Sequence, residues 1–264
     1  MSTHEENARQ YGDSRKLRAR ARLNRDYTIA ETPWFSWVLR QLDLKSGDHV
    51  LDIGCGPGWL WSEAANDVPQ GLELTLADLS PGMVDEAVQR CRPLPFKAVD
   101  GQVADVTSLP FEDGTFDTGL AAHMLYHVAD PAAAIAEMFR VLKPGGTLAV
   151  TTNGVGNMRE LYELATVFGS APTDPSAAIF GFDTAERLMR SQFGNVSLSR
   201  YPAVLRITDP DDIFLALTSY PPGDRAGEIE LNSFRQAIDR AFARGKGALE
   251  TQKETGLFRS RKAA

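Results

Sequence analysis

Residues 50–58, Val50-Leu51-Asp52-Ile53-Gly54-Cys55-Gly56-Pro57-Gly58, join an apolar run to a G-x-G-x-G turn. Glycines at such a turn let the backbone take positive φ and approach a ligand closely. Asp52 stands just before the turn, Asp78 follows twenty residues after Gly58, and Asp105 ends the next candidate strand region. A diphosphate at this turn meets the fixed negative charge of Asp52, at a cost on the order of 1 kcal/mol or more. A cationic group gains instead. A carboxylate at position 78 can accept from both hydroxyls of a ribose, and one at position 105 from an exocyclic adenine amine. The dinucleotide pattern G-x-G-x-x-G fails at position 59, which is Trp. The turn and its three carboxylates therefore suit an adenine nucleoside with a cationic, phosphate-free tail. S-adenosylmethionine answers that description, with S-adenosylhomocysteine as the spent form.

Two of the four histidines, His123 and His127, follow the fourth candidate strand with Tyr126 between them. An imidazole titrates near neutrality, so both are candidate general bases for an acceptor that must lose a proton. Tyr11, Tyr27, Trp61, Tyr126, Asn153 and Tyr220 are candidate acceptor-pocket residues, since aromatic walls suit an apolar or aromatic small molecule. Each is equally open to a packing role. Cys55 reads as inert, a small side chain in a crowded turn with no histidine near it in sequence.

These residues need elements to hold them. Short apolar runs predict strands at His49–Ile53, Leu72–Ala77, Lys97–Val103, Phe116–Ala122 and Thr147–Thr152. Runs of this kind are expected where both faces of a sheet are buried. Helical stretches fall between several of them, at Leu60–Ala65, Met83–Arg90 and from Asp130-Pro131 to Lys143. This alternation predicts a parallel sheet with helices on both sides. Upstream, Thr32-Pro33 is expected to cap a helix carrying Trp34, Trp37 and Val38 on one face. Downstream, Asp183 and Glu186 have the spacing of a capping box before Ala185–Phe193. Residues 195–207 read as extended with a break at Pro202. Asp209-Pro210 opens another helix, Pro221-Pro222-Gly223 breaks it, and Leu231, Phe234, Ile238 and Phe242 recur at helical spacing. Gly256–Lys262 reads as a last strand.

Composition narrows the partners. The 264 residues are 43% hydrophobic and 24% charged, an ordinary globular balance. Net charge is −7, which gives no global attraction to phosphate backbones. Residues 1–25 run the other way, with seven basic against three acidic side chains. That stretch reads as a solvated helix face or as a basic cover for an anionic substrate. Two cysteines, Cys55 and Cys91, make no disulfide framework, and no C-x-x-C pair exists for zinc or redox work. No apolar run reaches the roughly 18 residues of a membrane helix, and no secretion signal is visible. The expectation is a cytoplasmic protein, monomer or homodimer, acting on a small molecule without nucleic acid, membrane or metal.

Five motifs together resemble the class I S-adenosylmethionine-dependent methyltransferases, in particular their UbiE-like small-molecule subgroup. They are VLDIGCGPG (50–58), LTLADLS (74–80), VADVTSLPFEDGTFD (103–117), HMLYHVADP (123–131) and VLKPGGTLAVTT (141–152). The resemblance is strong over residues 45–155 and weak elsewhere. It implies a Rossmann-like, doubly wound, seven-stranded sheet, mostly parallel, with the last strand antiparallel. It also implies cofactor contacts. Asp52, Gly54, Cys55, Gly56 and Gly58 lie around the methionine portion, Asp78 at the ribose, and Leu79 and Met83 by the adenine. Ala104, Asp105 and Val106 frame the adenine edge, and Ala121, Ala122 and His123 face the reacting methyl. Four regions follow: an N-terminal helical cover (1–46), an α/β core (47–207), an inserted helical lid (208–247) and a terminal strand (248–264). The expected activity is in-line methyl transfer to an oxygen, nitrogen or carbon acceptor. A non-methylating use of the same cofactor, such as cyclisation, and a non-catalytic binding protein are the alternatives. The D/N-P-P-Y/F signature of amino-methylating DNA enzymes is absent after the fourth strand. Tyr220-Pro221-Pro222 has the wrong order and place for it.

Overall fold

The computed structural model describes residues 22–264. Its strands, in chain order, are β1 (Thr28–Ile29), β2 (His49–Ile53), β3 (Glu73–Asp78), β4 (Ala98–Val103), β5 (Phe116–Ala122), β6 (Leu142–Asn153), β7 (Ser197–Arg200), β8 (Val204–Ile207), β9 (Leu249–Gln252) and β10 (Thr255–Arg261). The chain divides into two compact units. The larger comprises residues 32–152, 180–201 and 255–264, and the smaller takes, of the described residues, 22–31, 153–179 and 202–254.

The larger unit holds a seven-stranded sheet in the order β4-β3-β2-β5-β6-β10-β7. β2 pairs in parallel with β3 on one side and β5 on the other, and β3 with β4 and β5 with β6 are parallel too. The strand order reverses between β2 and β5, which opens the crevice where ligands bind such sheets. β10 runs antiparallel to β7. It is also antiparallel to β6, since Gly145 and Gly146 exchange hydrogen bonds with Lys262 while Thr255 meets Thr152 at the other end. Alternate residues of the central strands enter opposite cores. Leu51, Ile53 and Ala121 pack with Met138 and Phe258, while Val50, Leu74, Leu76 and Leu120 pack with Trp61 and Val38. Burial on both faces explains why β2 and β5 are legible as unbroken apolar runs.

The flanking helices begin where local chemistry supplies a cap. Ser80 accepts from the Met83 N–H ahead of the helix Pro81–Cys91. Asp130 accepts from the Ala132 and Ala133 N–H groups ahead of Pro131–Val141. That helix stops two residues before the expected Lys143, because Leu142 is already extended and pairs with Phe116. Two expected caps do not form. The helix Trp34–Leu42 has Pro33 at its cap position, and the Thr32 carbonyl accepts from the Tyr201 hydroxyl instead. The helix Phe182–Phe193 is capped by Gly181 without a side chain, so Asp183 sits inside the first turn and Glu186 pairs with Arg190.

The smaller unit has a three-stranded antiparallel sheet, β1-β8-β9. Its core gathers Leu205 and Ile207 from β8 with Ile213, Leu217, Phe234 and Ile238 from the helices Pro210–Leu217 and Glu228–Arg244. The stretch 195–207 is therefore two strands on either side of Pro202, each belonging to a different sheet. Among the described residues no helix is long and apolar enough to cross a membrane.

Candidate active site

The carboxyl edge of the large sheet collects the acidic residues. Asp52 is the penultimate residue of β2 and Asp78 the last of β3; Asp105 lies two residues past β4. The turn after β2 is drawn against β3, because the Gly54 and Cys55 N–H groups both donate to the Ala77 carbonyl, at 2.7 and 3.1 Å. Gly54 and Gly56 both adopt positive φ, 70° and 52°. Their surroundings differ. A Cβ on Gly54 would stand 2.7 Å from the Met124 side chain, whereas one on Gly56 would meet nothing within 4 Å. Gly54 is thus a close-packed position and Gly56 faces open space at the strand edge.

Asp78 ties the two halves of this cradle together. One carboxylate oxygen accepts from the Gly56 N–H at 3.0 Å and the other from the Ser80 N–H at 2.9 Å. Leu79 beside it is 50% exposed, an unusual setting for a large apolar side chain. The loop after β4 is held from behind. Arg140 donates to the Leu109 and Phe111 carbonyls, to Asp113 and, with two nitrogens, to Glu137. Glu137 in turn accepts from the Leu109 N–H. Within this loop Ala104 and Val106 are buried, and Asp105 is exposed with its carboxylate closing a turn onto Thr107.

Asp52 is 2% exposed. One of its carboxylate oxygens accepts from the Trp61 indole N–H at 2.8 Å, and the other, Oδ1, is buried without a hydrogen-bond partner. Burial, reinforced by the charge of Asp78 and opposed by the Trp61 bond, pushes this carboxyl up from 3.8 to about 7. An unpartnered buried acceptor oxygen is one that a cationic ligand group can complete. Burial and the two neighbouring carboxylates likewise push the Cys55 thiol far above its usual range, which leaves it unreactive.

Past β5, the residues expected to act as bases gather with aromatic rings. His123 adopts φ 53° and Tyr126 stands edge-on to His127 at 4.5 Å. Trp34, Trp37 and Tyr201 join this group, with Trp34 5.4 Å from the His123 ring and 5.0 Å from Tyr201. Nothing local in the sequence links them, since they come from a helix and a strand flank distant along the chain. Other expected acceptor residues stand differently. Trp61 is fully buried and acts on Asp52, so it is no pocket wall. Tyr27, Asn153 and Tyr220 belong to the smaller unit and are engaged there. The Tyr27 hydroxyl donates to Asp212 at 2.5 Å, and burial with that bond pushes it up to about 12. Asn153 donates to Asp174, and Tyr220 packs on the helical core. Tyr11 lies outside the described residues.

Comparison with known proteins agrees with this geometry. Residues 51–150 match the family described as "Methyltransferase domain". A demethylmenaquinone methyltransferase from Beutenbergia cavernae is 33% identical over 149 residues, covering 56% of this chain and 52% of that protein. An uncharacterized 37.1 kDa protein in transposon TN4556 of Streptomyces fradiae is 41% identical over 123 residues, covering 47% and 35%. The chain thus spans about half or less of the length of these relatives. The crystal structure of the YcgJ protein from Bacillus subtilis superposes with a TM-score of 0.60 at 19% identity, covering 87% of this chain and 98% of that one. Over residues 51–150 the chain is thus similar to a methyltransferase domain, and the sheet that carries them has the fold of that solved structure.

Proposed function

We propose that this protein binds S-adenosylmethionine at the carboxyl edge of the large sheet and transfers its methyl group to a small-molecule acceptor. The observation that carries the reading is the buried, unpartnered Oδ1 of Asp52 at the end of β2, just upstream of a turn in which the Cβ side of Gly56 is open. In this reading Asp52 and the turn 54–58 meet the cationic amino-acid end, and Asp78 holds the ribose while already braced by two N–H groups. Leu79, Met83, Ala104, Asp105 and Val106 border the adenine. The cofactor supplies an activated methyl and its own leaving group. The protein's task is to align a nucleophile in line and keep water out, which is worth several kcal/mol of barrier.

Acceptor choice falls to residues outside the motif-rich stretch 45–155. The rings around His123 and the demethylmenaquinone named for a relative support a planar, quinol-like acceptor. The two free cysteines suit a catalyst in the reducing cytoplasm. Isothermal titration with S-adenosylmethionine, S-adenosylhomocysteine and NAD, followed by transfer of a tritiated methyl group to a quinol panel, tests the proposal. Binding of both sulfur nucleosides and label in the quinol are expected. Binding of NAD alone refutes the cofactor assignment. Nucleoside binding without transfer to any acceptor points to cyclisation or to a binding protein.

A further inference from the structure

Within the turn 54–58 the backbone N–H groups are already engaged. Gly54 and Cys55 donate to the Ala77 carbonyl, Gly56 to Asp78 at 3.0 Å, and Gly58 to the Cys55 carbonyl at 3.2 Å. The first three bonds hold the front of the turn against β3. Pro57 has no N–H, so its carbonyl is the one backbone polar group it offers. That carbonyl accepts from Nε of Arg90 at 2.7 Å, across 33 positions of sequence.

Arg90 lies in the last turn of the helix Pro81–Cys91. A guanidinium there has two ordinary uses, to favour the negative end of its own helix and to pair one turn back. The pair, with Glu86, is present, but the two side chains are 34% and 50% exposed and such pairs contribute little. The Nε bond instead leaves the helix and takes hold of the turn. Gly58 presses on the same helix, where a Cβ would stand 3.0 Å from Cα of Ala87. Residues 57 and 58 are thus registered on one helix face. The Gly58 carbonyl then accepts from the Ser62 N–H at 3.3 Å at the opening of the helix Trp59–Glu63, and Trp61 on that helix donates to Asp52. A shift at Pro57 therefore carries through to the group that holds one oxygen of Asp52. The charge of Arg90 works the other way, since a guanidinium repels a cationic ligand.

We infer that Arg90 is a positioning residue for the cofactor turn. By fixing Pro57 and, through the helix that follows, Trp61, it sets affinity for S-adenosylmethionine and S-adenosylhomocysteine alike. The inference rests on the methyl-transfer reading for the identity of those ligands. The test is calorimetric titration of full-length wild type, Arg90→Met, Arg90→Lys and Glu86→Gln with both nucleosides, together with exchange of the Trp61 indole proton, assigned with Trp61→Phe. Arg90→Met should bind both nucleosides at least tenfold more weakly, keep the ratio of the two affinities within about twofold of wild type, and exchange the indole proton faster. Arg90→Lys, which keeps a donor for the carbonyl, should recover most of the affinity. Glu86→Gln, which removes the ion pair and leaves the Pro57 bond, should match wild type. Unchanged binding by Arg90→Met would overturn the inference. So would tighter binding of S-adenosylmethionine, the result of losing a repelling charge, or an equal loss in Glu86→Gln, which would trace the effect to the exposed pair. One measurement needs no variant. By linkage the ligand must strengthen the bond that favours it, so the Arg90 Nε–H of wild type should exchange at least tenfold more slowly with S-adenosylhomocysteine bound. An unchanged rate would overturn the inference even if Arg90→Met failed to fold. If wild type bound neither nucleoside, the methyl-transfer reading would fail, and the indole exchange in Arg90→Met would still decide whether Arg90 holds the turn.

Discussion

Replacing Asp52 by Asn separates what its buried charge does to stability from what it does for the ligand. The carboxyl is 2% exposed and has one oxygen on Trp61 and the other without a partner. Burial lifts it from 3.8 to about 7. In the unfolded chain it ionises near 3.8, so across the window from about pH 4 to about pH 7 the folded form binds more protons than the unfolded one. Stability from this group is therefore fully present below that window and falls as pH rises through it. The rise corresponds to about 4 kcal/mol lost by pH 8. Asn keeps an acceptor for Trp61 and removes the charge. Its amide is left unpartnered at a cost of about 1–3 kcal/mol, but that cost does not change with pH. Urea unfolding of both proteins from about pH 4 to about pH 8 should show the variant gaining on wild type by several kcal/mol across the window. Parallel curves would falsify the assignment of Asp52 as a strained buried acid. Titration near pH 7 in buffers of different ionisation enthalpy gives the ligand side. Wild type should release a proton on binding S-adenosylmethionine, and Asp52→Asn should release none and bind at least tenfold more weakly.

Gly54→Ala and Gly56→Ala form a matched pair, since both sit at positive φ but only the first has Met124 in the way. Gly54→Ala should cost more than about 2 kcal/mol by urea unfolding, and Gly56→Ala about 1 kcal/mol together with a large loss of cofactor affinity by calorimetry. Asp78→Ala should weaken S-adenosylmethionine binding by about 1–3 kcal/mol and raise amide exchange at Gly56 and Ser80, whose N–H groups it frees. Arg140→Ala should loosen residues 105–114, read as faster exchange at the Leu109 amide. Arg140→Lys should recover little, because a single ammonium cannot span Leu109, Phe111 and Glu137 together.

Sequence carried the sheet further than the site. His49–Ile53 and Phe116–Ala122 were readable to the residue because strands buried on both faces admit few polar side chains. β1, β8 and β9 are only two to four residues long, too short for the alternation of burial along β8 and β9 to stand out as a period in the sequence. The spacing of Asp183 and Glu186 looked like a cap, but the helix reaches back to Phe182 and a glycine starts it. At the site, Asp52, Gly56 and Asp78 lie close enough in sequence for their chemistry to be read from the turn. The bond from Trp61 to Asp52, and the meeting of Trp34, Tyr201 and Thr255 around His123, depend on how β10 and a distant helix pack. Such tertiary meetings leave no local pattern.

β10 lies far downstream of β7 in sequence, yet it occupies the slot between β6 and β7. On a ribosome, β7 is made well before residues 255–261 emerge, and until then it waits without this neighbour in the sheet. Thr255 heads that same strand, so its contact with the His123 ring forms at that point too. A nascent chain stopped before residue 255 would carry the glycine turn and all three acids with the sheet still open between β6 and β7.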